Sequence, residues 1–178
     1  SKEKGVFDLL MAWRKLTHMK SDVRLLIIGS GLDIGEAKRL IKELHLERNA
    51  IVRGPCNDRD MYTLMKASKV FVFPSRFEGW GLAVAEALAC GLPVVCYDIP
   101  ALREVFGGCD SVFFVPIGDV GMLASAILRV LKMSAASDLA TASKAYVKGF
   151  NWKEIAKRDL QIINLIAEGS GCFEQDGG

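Results

Sequence analysis

The stretch KVFVFPSRFEGWGLAVAEALACGLPVVCY, residues 69–97, sets two short apolar runs on either side of a helix-forming segment. KVFVFP (69–74) and PVVCY (93–97) are rich in β-branched and aromatic residues and show no polar alternation. That pattern reads as strands covered on both faces. Between them GLAVAEALAC (81–90) reads as a helix, apolar almost all round except for one carboxylate, Glu86. Eight residues earlier a second carboxylate, Glu78, stands against a glycine-spaced turn. The unit is therefore strand, loop, helix, strand, with two acids near the joint.

The same alternation runs outward in both directions. VRLLIIG (23–29), AIVRG (50–54) and SVFFV (111–115) read as further buried strands. Helical patterns cover GVFDLLMAWRKLTHM (5–19), DIGEAKRLIKELHL (33–46), DRDMYTLMKAS (58–68) and ALREVF (101–106). Asp33, Asp58 and Asp119 stand where N-caps are expected. Strands alternating with helices imply right-handed crossovers and a parallel sheet, so the class is α/β. From Asp119 to Glu168 three helical segments follow, broken near Ser134 and at Gly149. GSGCFEQDGG, residues 169–178, reads as a flexible tail.

Composition narrows the partners. At 178 residues the chain is one domain or slightly more. Hydrophobic residues make up 51% and the mean hydropathy is +0.23, which suits a sheet covered on both sides. A net charge of +2, with the basic residues scattered, argues against nucleic acid or an anionic membrane surface. There is no run of about 18 apolar residues, so the chain reads as soluble. Cys56, Cys90, Cys96, Cys109 and Cys172 form no C-x2-C pair, and no His stands at ligand spacing from them. That points to a reducing, cytoplasmic compartment and away from a zinc site. His18 and His45 read as surface residues without a catalytic constellation.

In open parallel sheets ligands lie beyond the carboxyl ends of the strands, where the helices begin. PSRFEGWG is such a loop, and Gly79 and Gly81 let the backbone approach a ligand closely. A helix starting near Gly81 directs free N–H groups and its positive end there, so the amides of Gly81 and Leu82 read as a phosphate seat. Glu86 would lie in the second turn of that helix. An ionised carboxylate buried without partners costs several kcal/mol, so Glu86 must be paired or hydrogen-bonded. Two readings stand on the residues alone: a ligand's vicinal hydroxyls, or a salt bridge to a neighbouring helix. Glu78 is likewise either a second polyol contact or an exposed loop acid. Trp80 either walls the loop or touches a sugar, and Trp152 reads as an anchor for the last helix.

PSRFEGWGLAVAEALACGLPVV followed by REV resembles the signature of retaining GT-B glycosyltransferases of the glycosyl transferases group 1 family (family 4). Their motif is E-x7-E, preceded by PS and followed by EA-x-A-x-G-x-PVV. Lys4–Gly5, LLMAWRKL, LLIIGSG, IVRG, VPIGD (115–119) and FNW (150–152) fall in the family's order. The resemblance implies a Rossmann-like parallel sheet flanked by helices, the C-terminal half of a GT-B fold, over residues 1–168. It implies Glu86 as the ribose-binding acid and Glu78 as the acid on the transferred sugar. The backbone from Gly79 through Trp80 and Gly81 to Leu82 would lie along the donor. Lys4 would neutralise the diphosphate as it leaves, so Glu78 and Lys4 are the implied catalytic pair. Arg53 would flank the base, and Gly31 would lie in the loop facing the domain cleft.

The implied function is transfer of a hexose, such as mannose or glucose, from a nucleoside-diphosphate sugar to a glycan or lipid-linked acceptor. No metal and no cofactor beyond that donor are implied. The alternative is a non-catalytic nucleotide-sugar-binding module or a subunit that needs a separate partner chain. The family's opening strand with its Arg, and its N-terminal acceptor domain, are not in these 178 residues, so little turnover is expected of the chain alone. The last helix would cross back to that domain, and any peripheral membrane contact is expected only through the full-length enzyme. DIPAL (98–102) departs from the family's usual glycine pair, which removes the ground for a ligand role at Glu104. A dinucleotide-binding dehydrogenase is disfavoured, because LIIGSGLDIGEA lacks the third glycine of G-x-G-x-x-G at its place.

Overall fold

The computed structural model describes residues 3–31, 33–133 and 136–170. The chain divides into two compact units, Ser1–Tyr146 and Val147–Gly178. The first unit runs α1 (Val6–Met19), β1 (Leu25–Ile28), α2 (Ile34–Glu43), β2 (Ala50–Gly54), α3 (Asp58–Lys66), β3 (Phe71–Phe73), α4 (Leu82–Ala89), β4 (Val94–Tyr97), α5 (Pro100–Phe106), β5 (Val112–Val115), α6 (Val120–Lys132) and α7 (Ala136–Val147). The second holds α8 (Trp152–Ser170). Strands and helices fall where the apolar runs and amphipathic stretches place them. Residues 169 and 170 of the expected tail belong to α8, and residues 171–178 and the Trp152 side chain lie outside the described residues.

Every strand pairing is parallel. β1 pairs with β2 from Leu25↔Ala50 to Ile28↔Gly54, with a register break between Ile27 and Ile28. β4 is the centre of a second ladder, taking β3 at Phe71↔Val94 and β5 at Val94↔Val112. Among the described residues no ladder joins β1 to β3. Val94, Val95, Cys96 and Tyr97 are all fully buried. Successive strand residues face opposite sides, so four in a row buried means both faces are covered. α4 and α6 are the helices that pack on β4. β3 is equally apolar, yet Phe71, Val72 and Phe73 are each only half-buried.

The helices begin as local chemistry dictates, with one correction. Asp119 caps α6 by accepting from the Met122 N–H at 2.8 Å. For α3 the cap is Asn57, which accepts from the Asp60 N–H at 2.8 Å, and Asp58 is already the first helical residue. Both side chains in the Asn57–Asp58 pair can cap; the extended backbone at Asn57 (ψ 164°) decides between them. Asp33 occupies the N-cap position of α2 without a side-chain capping bond.

Gly5 ends the chain's approach to α1 with φ +70°, the left-handed region. A Cβ there would stand 1.9 Å from the Pro74 carbonyl oxygen. The first turn of α1 is thereby pressed against the end of β3, and α1 buries Leu9, Leu10, Ala12, Trp13 and Leu16 while packing on α6 and α2.

Two stability measurements follow from these contacts. Gly5→Ala combines a disfavoured φ with a backbone overlap, so urea unfolding should show a loss of at least about 2 kcal/mol. An unchanged midpoint would show that residues 3–5 do not hold this position in solution. Burial pushes the Cys96 thiol from 9.0 up to about 12. The folded chain then holds that proton more tightly than the unfolded one. Stability is full below about pH 9 and falls as pH rises towards 12, by on the order of a few kcal/mol. Unfolding midpoints from pH 8 to 11 should show this slope, and Cys96→Val should flatten it by about one proton.

Candidate functional site

The carboxyl ends of β3 and β4 carry the loop that holds the first acid. After β3, Ser75 is fully buried and its hydroxyl donates to the Phe77 carbonyl at 3.0 Å. The Arg76 N–H donates to the Glu3 carbonyl at 2.8 Å, so residues 3–5 lie along residues 74–76. That alignment brings Lys4 Nζ to 2.6 Å from Glu78 Oε1. The Glu78 side chain is 13% exposed and that of Lys4 54%, so the acid is the more shielded partner. Two residues separated by 74 positions, both singled out in the sequence, meet as one ion pair.

The turn between Glu78 and α4 is fixed from behind. Gly81 is buried, with φ +96°, and a Cβ there would stand 2.4 Å from Leu102 Cδ2. The Trp80 ring meets Phe106 edge-on, with centroids 5.5 Å apart and planes at 71°. Trp80 therefore walls the loop against α5. On the other side Gly79 is open, with no atom within 4 Å of where its Cβ would lie, and Leu82 is 64% exposed. The Val84 and Ala85 N–H groups donate to the Gly81 carbonyl at 2.9 and 3.3 Å, and the two amides before them, Leu82 and Ala83, start at this open turn.

Glu86 lies in the second turn of α4, half-buried, and Tyr62 of α3 donates its hydroxyl to Oε1 at 3.3 Å. Among the described residues no Lys or Arg forms an ion pair with it. Of the two sequence readings, the salt bridge is thus ruled out among the described residues. The Glu86 charge and burial together raise the Tyr62 hydroxyl above its ordinary value. Tyr62 was not legible as a site residue, because it arrives from another helix and its own segment shows only amphipathic periodicity.

The remaining candidates lie at neighbouring strand ends. Arg53, in β2, points to Asp60 of α3 at 3.4 Å. Gly31, beyond β1, is exposed, with nothing within 4 Å of its Cβ position. Neither is brought into contact with Glu78 or Glu86. DIPAL is structural: Arg103 grips Asp98 with two bonds, Nε to Oδ1 being 2.9 Å, and stacks 3.9 Å above the Phe114 ring. Hydrogen bonds from Arg103 hold the Asp98 carboxyl below the usual carboxylate range. Glu104 is exposed.

Two cavities accompany these loops. One of about 370 Å³ is lined by Glu3, Phe7, Asp8 and Arg76, and one of about 500 Å³ by β5 with Arg103, Met122 and Arg129. Neither is lined by Glu78 or Glu86. Among the described residues no three His, Cys, Asp or Glu side chains gather as metal ligands. Cys56, Cys90, Cys96 and Cys109 are free thiols, and Cys172 lies outside the described residues. Among the same residues no helix is long and apolar enough to cross a membrane.

An acid beside a hydroxyl, an acid paired with a lysine and a helix start open to solvent form a surface suited to a polyol that carries negative charge. The O-antigen chain mannosyltransferase B of Escherichia coli is 34% identical over 110 residues, 61% of this chain and 28% of the relative. N-acetylgalactosamine-N,N'-diacetylbacillosaminyl-diphospho-undecaprenol 4-alpha-N-acetylgalactosaminyltransferase of Campylobacter jejuni is 30% identical over 84% of this chain and 41% of its own length. In structure, sucrose-phosphate synthase from Thermosynechococcus elongatus superposes with a TM-score of 0.80 at 27% identity, over 95% of this chain and 44% of that one. The fold is accordingly the expected α/β arrangement of GT-B glycosyltransferases. The chain spans less than half the length of each of these relatives. Residues 1–148 match the glycosyl transferases group 1 family, and the chain belongs to it.

Proposed function

We propose that this chain is the donor-binding part of a retaining glycosyltransferase, which moves a hexose from a nucleoside-diphosphate sugar to a glycan or lipid-linked acceptor. The observation that carries the reading is the Glu86 carboxylate: half-buried on an apolar helix, joined to a neutral hydroxyl and, among the described residues, to no cation. Two vicinal ribose hydroxyls can donate to its remaining acceptor positions. The diphosphate would follow over the open start of α4, where backbone N–H groups and the helix dipole favour negative charge. Glu78 would take the sugar, and Lys4, already within 2.6 Å of that acid, would turn to the diphosphate.

In the transfer step the acceptor oxygen bonds to the anomeric carbon as the bond from that carbon to the phosphate oxygen breaks. The acceptor proton passes to the departing phosphate. A cation at Lys4 and the helix start stabilise charge that grows only as the leaving group departs, so they act on the transition state. The acceptor would come from a further domain. In the doubly wound order 3-2-1-4-5-6, β2-β1 and β3-β4-β5 correspond to 3-2 and 4-5-6. A strand ahead of Lys4 would then fill the place between β1 and β3.

Calorimetry of the chain with UDP, GDP and ADP tests the reading. One of the three should bind, and Glu86→Gln should weaken it at least tenfold, since a charge-assisted hydrogen bond contributes about 1.5–3 kcal/mol. If the wild-type chain and Glu86→Gln bound all three equally weakly, the proposal would fail.

A further inference from the structure

A second link joins the segments already tied by Lys4 and Glu78, and none of the roles above uses it. Arg76 Nη2 lies 2.6 Å from Asp8 Oδ2. The Tyr97 hydroxyl donates to the same oxygen at 2.9 Å. The Arg76 guanidinium also stands 6.0 Å from the Tyr97 ring centroid, and a Cβ on Gly118 would come within 3.4 Å of Arg76 Nη2. Tyr97 is fully buried, and the Asp8 and Arg76 side chains are 21% and 45% exposed. One network thus connects the first turn of α1, the β3–α4 loop and the end of β4.

Its position relative to the acid pair gives it a use. Asp8 follows Lys4 by four residues, and Arg76 precedes Glu78 by two. The two ion pairs are therefore successive cross-links between the same two segments. On the donor-binding reading the first opens as Lys4 turns to the diphosphate. The second touches neither acid of the donor site and can stay closed. Its Tyr97 arm is buried, so the anchor is less screened by solvent than a surface pair.

We propose that Asp8 is a positioning residue. Through Arg76, and braced by Tyr97, it keeps the β3–α4 loop registered on α1 so that Glu78 stays aimed at the donor sugar once Lys4 has turned away. The inference rests on the donor-binding reading and adds to it a division of labour between the two ion pairs. Loss of the anchor costs recognition of the sugar and spares recognition of the nucleotide, since Glu86 is held separately by Tyr62 of α3.

The test is calorimetry of the chain with UDP against UDP-glucose and with GDP against GDP-mannose. Asp8→Asn should raise the Kd of the sugar conjugate about tenfold while the diphosphate alone stays within about twofold. The exchanged pair Asp8→Arg with Arg76→Asp should recover most of the loss. Tyr97→Phe, which removes only the bracing hydroxyl, should give the same pattern at smaller size, and it carries the test if Asp8→Asn does not fold. Equal weakening of conjugate and diphosphate, or no weakening of either, overturns the positioning role while leaving donor binding intact. A wild-type chain that binds none of the four probes, nor ADP, overturns both readings.

Discussion

Residues 3–8 cross the end of β3 at contact distance, and the backbone at Gly5 sets how close they come. A side chain there would occupy the space of the Pro74 carbonyl. Because the two backbones touch, the Glu3 carbonyl can take the Arg76 N–H, Lys4 can reach Glu78, and Asp8 can reach Arg76. Each of those contacts joins residues about seventy positions apart, and none would survive an outward shift of the α1 start by the width of a methyl group. The loop between β3 and α4 has little regular structure of its own. Its shape is borrowed from α1 on one side and, through Gly81 and Trp80, from α5 on the other.

The two acids are satisfied by different means, and the difference is chemical. Glu78 faces a full positive charge, so its pairing is electrostatic and can be exchanged for another ligand when that charge is drawn away. Glu86 faces a phenol hydroxyl, which fills one acceptor position and neutralises nothing. A carboxylate in that state retains both its charge and the capacity for further donors. The apolar residues of α4 around it keep the helix packed on β3 and β4, so the acid stays fixed in place.

Much of this was legible in the residues. Continuous apolar runs mark strands covered on both faces, and β4, with four consecutive buried residues, shows why no alternation appears. The E-x7-E spacing places both acids at the carboxyl end of the sheet. What the chain order concealed is of two kinds. The Asn57 cap turns on a single backbone angle, which adjacent capping residues cannot reveal. The partners Tyr62, Phe106 and Asp8 arrive from other elements, and nothing in their own segments distinguishes them from ordinary helix residues. The Gly5 requirement is of the second kind, since it follows from what lies opposite. The pairing into two ladders likewise depends on which strands become neighbours, and apolar runs do not encode neighbours.

The thiol at the centre of β4 has a consequence of its own. Cys96 is fully buried and keeps its proton far above neutrality, whereas alkylating reagents attack only an accessible thiolate. Labelling at this position has to wait until the central ladder opens, while half-buried Cys56 is within easier reach. The native chain therefore carries an internal chemical clock. The rate at which Cys96 is capped reports how often the middle of the sheet comes apart.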